Sequence, residues 1–314
     1  MKPRGGPCRR ALPKLAVRPD GSPMNTTTII MMLFNGLVLG SYLVLLSLGL
    51  SIIFGMLGVV NFAQGALYML GAYAGYTCLY FGLNFWVALL VAPLAVAFIA
   101  SLSERFLIRF LYKEADIYVV LLTFGLMLVF EEVIRLIFGD LGRPIAIPDM
   151  LSGALNLGFM YYPKYRLFII GVTAVCALGT WLILARTKLG SVIRAGTDDS
   201  EMVDALGIHI SKIYTGVFAF GAGLAGLAGI LAGPLQEVTP LMGNEILIQI
   251  FVVVVIGGLG SIAGSIVAGL LVGEVITLGV LFWPPAAMTS IYVFMAIILL
   301  VRPRGFFGRA GFHE

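Results

Sequence analysis

Charge is what this sequence has least of. Only 11% of its 314 residues are Asp, Glu, Lys or Arg, where a soluble globular domain carries about 25%. Together with 60% hydrophobic residues and a mean hydropathy of +1.03, that shortage excludes a soluble protein and makes the chain an integral membrane protein. Cysteine is equally sparse. Cys8, Cys78 and Cys176 are too scattered for a disulfide framework or a zinc site. The two histidines, His209 and His313, stand far apart with no partner at ligand spacing, so no metal site is expected. There is no nucleophile–base pair and no Walker phosphate loop. The chain is therefore read as a non-enzyme without a cofactor of its own, and any ATP consumed must be hydrolysed by a different chain. Nothing resembles a nucleic-acid motif, and the net charge of +4 comes from basic clusters at span ends. The alternation of an outer-membrane barrel is missing as well.

A signal-peptide core is also lacking. Residues 1–23, MKPRGGPCRRALPKLAVRPDGSP, are basic and rich in Pro and Gly, without an apolar run. They read either as a disordered cytoplasmic arm or as no part of the native protein, because Met24 opens directly into the first span.

What the chain does have is apolar length. Nine stretches, at about 29–54, 60–81, 84–103, 117–138, 166–185, 212–232, 245–258, 260–281 and 286–301, predict an all-α, polytopic inner-membrane protein of eight to nine transmembrane or re-entrant helices. They form one domain over 24–305 with a short tail at 306–314. The seventh stretch is short for a full crossing and suggests a broken or re-entrant segment. Basic residues orient the spans. Arg105, Arg109 and Lys113, then Arg186, Lys188 and Arg194, then Arg302, Arg304 and Arg309 mark cytoplasmic ends. Nine crossings counted back from that tail place the start of the first span outside, in conflict with the six basic residues upstream of Met24.

Small residues recur every four positions in two spans. Gly221, Ala225, Gly229 and Gly233 form one stripe; Gly257, Ser261, Ser265, Gly269 and Gly273 form the other. In lipid such stripes let helix backbones approach closely, and tight packing is the expected role. Polar groups within the apolar runs are few. Asn61 and Gln64 must face protein or a watered path, because an uncompensated amide in hydrocarbon costs several kcal/mol; they read either as interhelical glue or as translocation-path residues. Glu274, near Thr277, is the one carboxylate well inside a span, a functional candidate by position. Glu131 and Arg135 are spaced to pair at i,i+4 beside Glu132, and Glu104 is read as pairing with Arg105.

A polar island, RTKLGSVIRAGTDDSEMVDALGIHISK, fills 186–212 between two apolar stretches. Asp198 can cap a helix with Glu201 as capping-box partner, and Gly207 suits its left-handed end. A helix of about nine residues is roughly 13 Å long at 1.5 Å per residue, too short to cross a bilayer. It must lie on the membrane surface or against another protein.

The order basic residue, Arg-Ala, acidic cluster, apolar residues, Leu-Gly-Ile in this island resembles the cytoplasmic loop of bacterial ATP-binding-cassette (ABC) importer permeases. The phrase GVVNFAQGALYMLGAY at 58–73 and the ending LLVRPRGFFG at 299–308 make the resemblance closest to the LivH-type branched-chain amino acid permease family, over nearly everything from Leu33 to Phe307. The resemblance implies that Gly190, Arg194, Ala195, Asp198, Asp199, Glu201, Met202, Ala205, Leu206, Gly207 and Ile208 form the coupling segment that docks on an ATPase. It implies as partners a second, LivM-type permease, two ABC ATPase subunits and a periplasmic substrate-binding protein, with ATP used by the ATPases. It implies an importer of branched-chain or related amino acids working by alternating access. Urea or short amides carried by the same architecture remain open as cargo, and an ion-coupled secondary transporter is a more distant alternative.

Overall fold

The computed structural model describes residues 26–308 apart from 113, 157 and 159. The expectations for 1–23, Lys113, Arg309 and His313 therefore fall outside the described residues. Within them the chain is a helical bundle. α1 spans Thr26–Leu57, α2 Gln64–Tyr80, α3 Phe85–Phe106, α4 Asp116–Phe138 and α5 Lys164–Arg186; α6 is Lys188–Asp198 and α7 Ser200–Ala205; α8 spans Ile210–Ala232, α9 Met242–Gly257, α10 Ile262–Phe282 and α11 Ala287–Val301. Each of the nine apolar stretches becomes one helix. Seven segments among the described residues are long and apolar enough to cross a membrane, the last, Pro284–Val301, only together with the 3-10 turn that leads into α11, while α2 and α9, with 17 and 16 residues, are shorter. α9 is short but unbroken. Two strands, β1 at Ala154–Asn156 and β2 at Tyr161–Pro163, pair antiparallel in the long loop before α5.

α1 organises the bundle. It has 32 residues without one charged side chain, about 48 Å at 1.5 Å per residue. A helix apolar on every side belongs inside other helices, and α1 is 83% buried over its membrane window against 11% for the segment containing α11. α10, α8, α5 and α9 pack around it, and α3 lies on the outer side of α8. Glycine makes these approaches possible. A Cβ on Gly221 would sit 2.7 Å from the Gly49 carbonyl oxygen, and one on Gly243 2.7 Å from that of Gly65. Side chains of ordinary size would hold those backbones apart.

Contacts at the helix ends show how the chain alternates. At one end, Asn35 of α1 accepts hydrogen bonds from Tyr162 and Arg166 at the start of α5, and the loops after α4 and α8 join where Arg143 and Val238 exchange two backbone hydrogen bonds of 2.9 and 3.0 Å. At the other end, Arg109 reaches the first turns of α8, while Gly196 of α6 sits against Met56 at the end of α1. The tail folds back there too: Phe306 and Phe307 donate to the carbonyls of Ile256 and Gly257 at 2.8 and 3.1 Å, satisfying acceptors the end of α9 would leave open. The clusters at Arg105 and Arg109, at Arg186, Lys188 and Arg194, and at Arg302 and Arg304 thus collect at one end, called here the basic end. α1 starts at the opposite one.

Candidate functional site

The basic end carries the polar island, and its local structure follows from its capping residues. Where one helix of about nine residues is predicted, two short helices form. Thr187 is extended at the end of α5 and its Oγ1 accepts from the Gly190 amide at 3.3 Å, capping α6. The turn is sharp enough that Gly190 lies on the Leu184 carbonyl with no room for a Cβ. Arg194 donates to that same carbonyl, placing a cation on the negative end of α5. Gly196 is wedged between Ile210 of α8 and Met56 of α1, whereas Ala195 faces outward. α6 is therefore held under the bundle along one side.

α7 begins one residue later than expected. Asp199, extended at φ −154°, is the N-cap: its Oδ1 accepts from the Met202 amide at 2.9 Å. Asp198 does not hold that place because it still belongs to α6. The side chains of Asp198 and Glu201 lie outside the described ones, so the capping box has no structural account. Gly207, at φ +83°, ends the helix in the left-handed conformation glycine adopts without strain. Its amide bonds to the Asp204 carbonyl and that of Ile208 to the Val203 carbonyl, the pattern of a glycine C-cap. Between the caps, Val203 alone among the described side chains turns inward, at 3% exposure. Met202 is 59% and Leu206 74% exposed, and Ala205 and Ile208 are also outward. A capped knuckle thus offers an apolar surface away from the bundle.

The two buried amides lie elsewhere. Asn61 sits in the non-helical link between α1 and α2 and Gln64 opens α2, at 2% and 0% exposure. The Asn61 Oδ1 accepts from the Ala63 amide at 3.1 Å, and the Gln64 Nε2 donates to the Gly221 carbonyl of α8 at 3.3 Å. Asn61 Nδ2 and Gln64 Oε1 have no partner. Glu274 of α10 lies where a Cβ on Gly36 of α1 would be, half-buried, with its Oε2 unpartnered. The structure does not bring Glu274 to the two amides: its neighbour is near the start of α1, theirs are in α8 and the link.

The small residues of the two stripes stand at helix contacts. Gly229 lies on the backbone of Tyr68 and Ala72 in α2, Gly257 on that of Gly264, Gly269 on Val44, and Gly273 on Gly36 and Gly40. Ser261 caps α10 through the Gly264 amide at 3.1 Å, and Ser265 meets the Ser51 hydroxyl at 2.5 Å. Among the described residues no three His, Cys, Asp or Glu side chains gather as a metal would need.

Two charged clusters complete the inventory. Arg135 bonds Glu131 at 2.9 Å, Glu132 at 2.8 Å and Asp140 at 2.9 Å, and Asn244 of α9 donates to the second Glu131 oxygen at 2.6 Å. Glu104 does not pair with Arg105. It is fully buried at the end of α3 and bonded to Arg109, because the chain reverses through a 3-10 turn at Ile108–Leu111 and swings Arg109 back, while Arg105 projects outward over the Phe106 ring. Sequence reading missed this pair, and also Asn35 with Arg166, since both depend on chain reversals or long-range contacts.

A family model described as "Branched-chain amino acid transport system / permease component" matches residues 32–301. The high-affinity branched-chain amino acid permease BraD of Pseudomonas aeruginosa is 29% identical over 295 residues, covering 88% of this chain and 95% of that protein. LivH of Escherichia coli is 28% identical over 296 residues, covering 88% and 94%. LivM of the same organism is 27% identical over 261 residues, covering 73% of this chain and 59% of LivM.

Proposed function

The chain belongs to the branched-chain amino acid transport permease family, and on that premise we propose that it is the membrane-spanning subunit of an ABC importer for branched-chain amino acids. The basic end then faces the cytoplasm, where Lys and Arg favour the membrane surface, and the membrane is the bacterial inner one. ATP is hydrolysed by two separate ATPase chains, a LivM-type permease completes the membrane part, and a periplasmic binding protein delivers the cargo.

The observation that carries this reading is the α7 knuckle. Met202 and Leu206 are largely exposed on a helix capped at both ends, outside any membrane-length helix, so their apolar surface calls for a protein cover. A groove on an ATPase subunit is that cover, and alternating access follows: nucleotide-driven closure of the ATPases moves α7, and α6 and α8 carry the movement to α1. Asn61 and Gln64, with spare donor and acceptor capacity, are the residues a zwitterionic cargo would meet as α2 and α8 part. The test is co-expression with candidate partners, followed by purification and leucine uptake into vesicles. Isolation of this chain without any ATPase under mild detergent, together with nucleotide-independent uptake, would overturn the reading.

A further inference from the structure

Glu104 poses a problem that membrane anchoring does not explain. It is the most deeply buried carboxylate among the described residues, with no exposure at all, yet it sits at the basic end, where water is close. Every donor that satisfies it comes from outside its own helix. Arg109 gives Nε to one oxygen at 3.3 Å and Nη2 to the other at 3.2 Å. Tyr112 donates at 3.1 Å and Thr215 of α8 at 2.6 Å. Arg109 in turn reaches the Thr215 hydroxyl at 2.5 Å and the Ser211 carbonyl at 3.3 Å. Burial first, and then the neighbouring Glu104, push the Tyr112 phenol above its ordinary value, so it stays a donor. Its ring also packs edge-on to Tyr214 at 5.3 Å.

These partners are placed in a telling way. Ser211 and Thr215 belong to the first turns of α8, which starts only four residues after Leu206 leaves α7. Further along the same α3–α8 interface the contact changes character. Pro93 interrupts the hydrogen-bond ladder of α3, and there Gly223 and Gly226 of α8 approach it, so closely that a Cβ on Gly226 would lie 3.2 Å from the Pro93 Cα. The two helices are thus fastened at the basic end by charge-assisted hydrogen bonds, which are strong and directional, and meet at a smooth, ladder-broken point above it.

We propose that Glu104 is a positioning residue for energy coupling: it clamps α3 to the start of α8, so that displacement of α7 is delivered to α3 as well as to α8, with the Pro93–Gly226 crossing as the pivot. This rests on α7 being the ATPase-facing element. The expected consequence of Glu104→Gln is specific. An amide keeps the side chain's shape but cannot accept from Arg109 at both atoms, so α8 still follows α7 while α3 no longer does.

The experiment uses the full complex in lipid vesicles, with the native cysteines replaced. Spin labels at Leu94→Cys on α3 and Leu300→Cys on α11 report α3, and labels at Phe220→Cys and Leu300→Cys report α8. Distances are measured with and without ATP, next to hydrolysis and uptake of leucine. In Glu104→Gln the nucleotide-dependent shift of α3 should vanish, that of α8 should remain, and leucine moved per ATP should fall by about tenfold, within the ordinary range of coupling energies. Thr215→Val should do the same more weakly, and Arg109→Lys should restore less than half of the lost Arg109→Ala coupling. A variant whose α3 shift and uptake-per-ATP ratio match the unsubstituted complex overturns the proposal, even if it is less heat-stable, because Glu104 would then be structural only. No α3 shift in the unsubstituted complex overturns it too. A complex that hydrolyses ATP and moves α3 but takes up no leucine instead contradicts the cargo assigned above and leaves the clamp standing.

Discussion

Consider replacing Gly269 with alanine. The added Cβ would lie 2.7 Å from Val44 Cγ2, 3.1 Å from the Val44 amide nitrogen and 3.2 Å from its Cα. Val44 is buried in the middle of α1, so its backbone cannot step aside alone. Ordinary carbon contacts are about 3.5–4.0 Å, so α10 and α1 must part by about 0.8 Å or Val44 must leave its rotamer. Overpacking of this kind costs about 1–3 kcal/mol. Alanine also gains up to about 1 kcal/mol of helix propensity over glycine, which offsets part of it. Gly171→Ala in α5 supplies the comparison, because nothing lies within 4 Å of its Cβ position. That variant should be neutral or slightly more stable. The gap between the two substitutions, about 1–3 kcal/mol, isolates the packing cost. It can be read as the difference in apparent melting temperature in one detergent. Equal melting temperatures for Gly269→Ala and Gly171→Ala would show that α1 and α10 do not approach as described. The larger Gly269→Leu and Ser265→Leu should fail to assemble.

Gln64→Leu removes an amide that makes one 3.3 Å hydrogen bond and leaves Oε1 unpartnered, so the fold should change by less than about 1.5 kcal/mol, the net worth of a typical bond, while leucine uptake falls; normal uptake by a stable variant would make Gln64 interhelical glue only. Arg135→Ala leaves Glu131, Glu132 and Asp140 without their shared cation. The bond to buried Glu131 accounts for most of the expected fall in melting temperature, the two exposed partners for little, and an unchanged melting temperature would refute the ranking.

The bundle was largely legible in the sequence because each apolar stretch is a single helix bounded by polar or glycine residues. Resemblance singled out 190–208 as the expected coupling segment, but the shape of that loop was not legible. α6 went unseen because Thr187, its cap, follows α5 without a break and its residues are as polar as a loop. The cap of α7 was placed at Asp198 because two aspartates stand side by side, and only backbone dihedrals decide between them. Glu104 was assigned to its neighbour Arg105 because a pairing across a chain reversal leaves no periodic trace. The glycine stripes announced close packing, yet not that Gly273 meets Gly36 and Gly40, since partners distant in sequence are chosen by the fold.

The most direct test of the account is the α7 knuckle itself. Ala205→Arg places a cation between Met202 and Leu206, where the importer reading requires an apolar contact with an ATPase, and burying an unpaired charge is strongly unfavourable. Because Ala205 faces outward on a helix of six residues, too short to cross a bilayer, the chain should insert and melt as before. Asp149→Arg, in the loop at the opposite end of the bundle, is the control and should change nothing. The measurement is the amount of ATPase that purifies with each variant, with leucine uptake alongside. The account predicts that Ala205→Arg loses the ATPase, or retains it with hydrolysis no longer linked to uptake. Transport at the unsubstituted rate with the ATPase bound would contradict it.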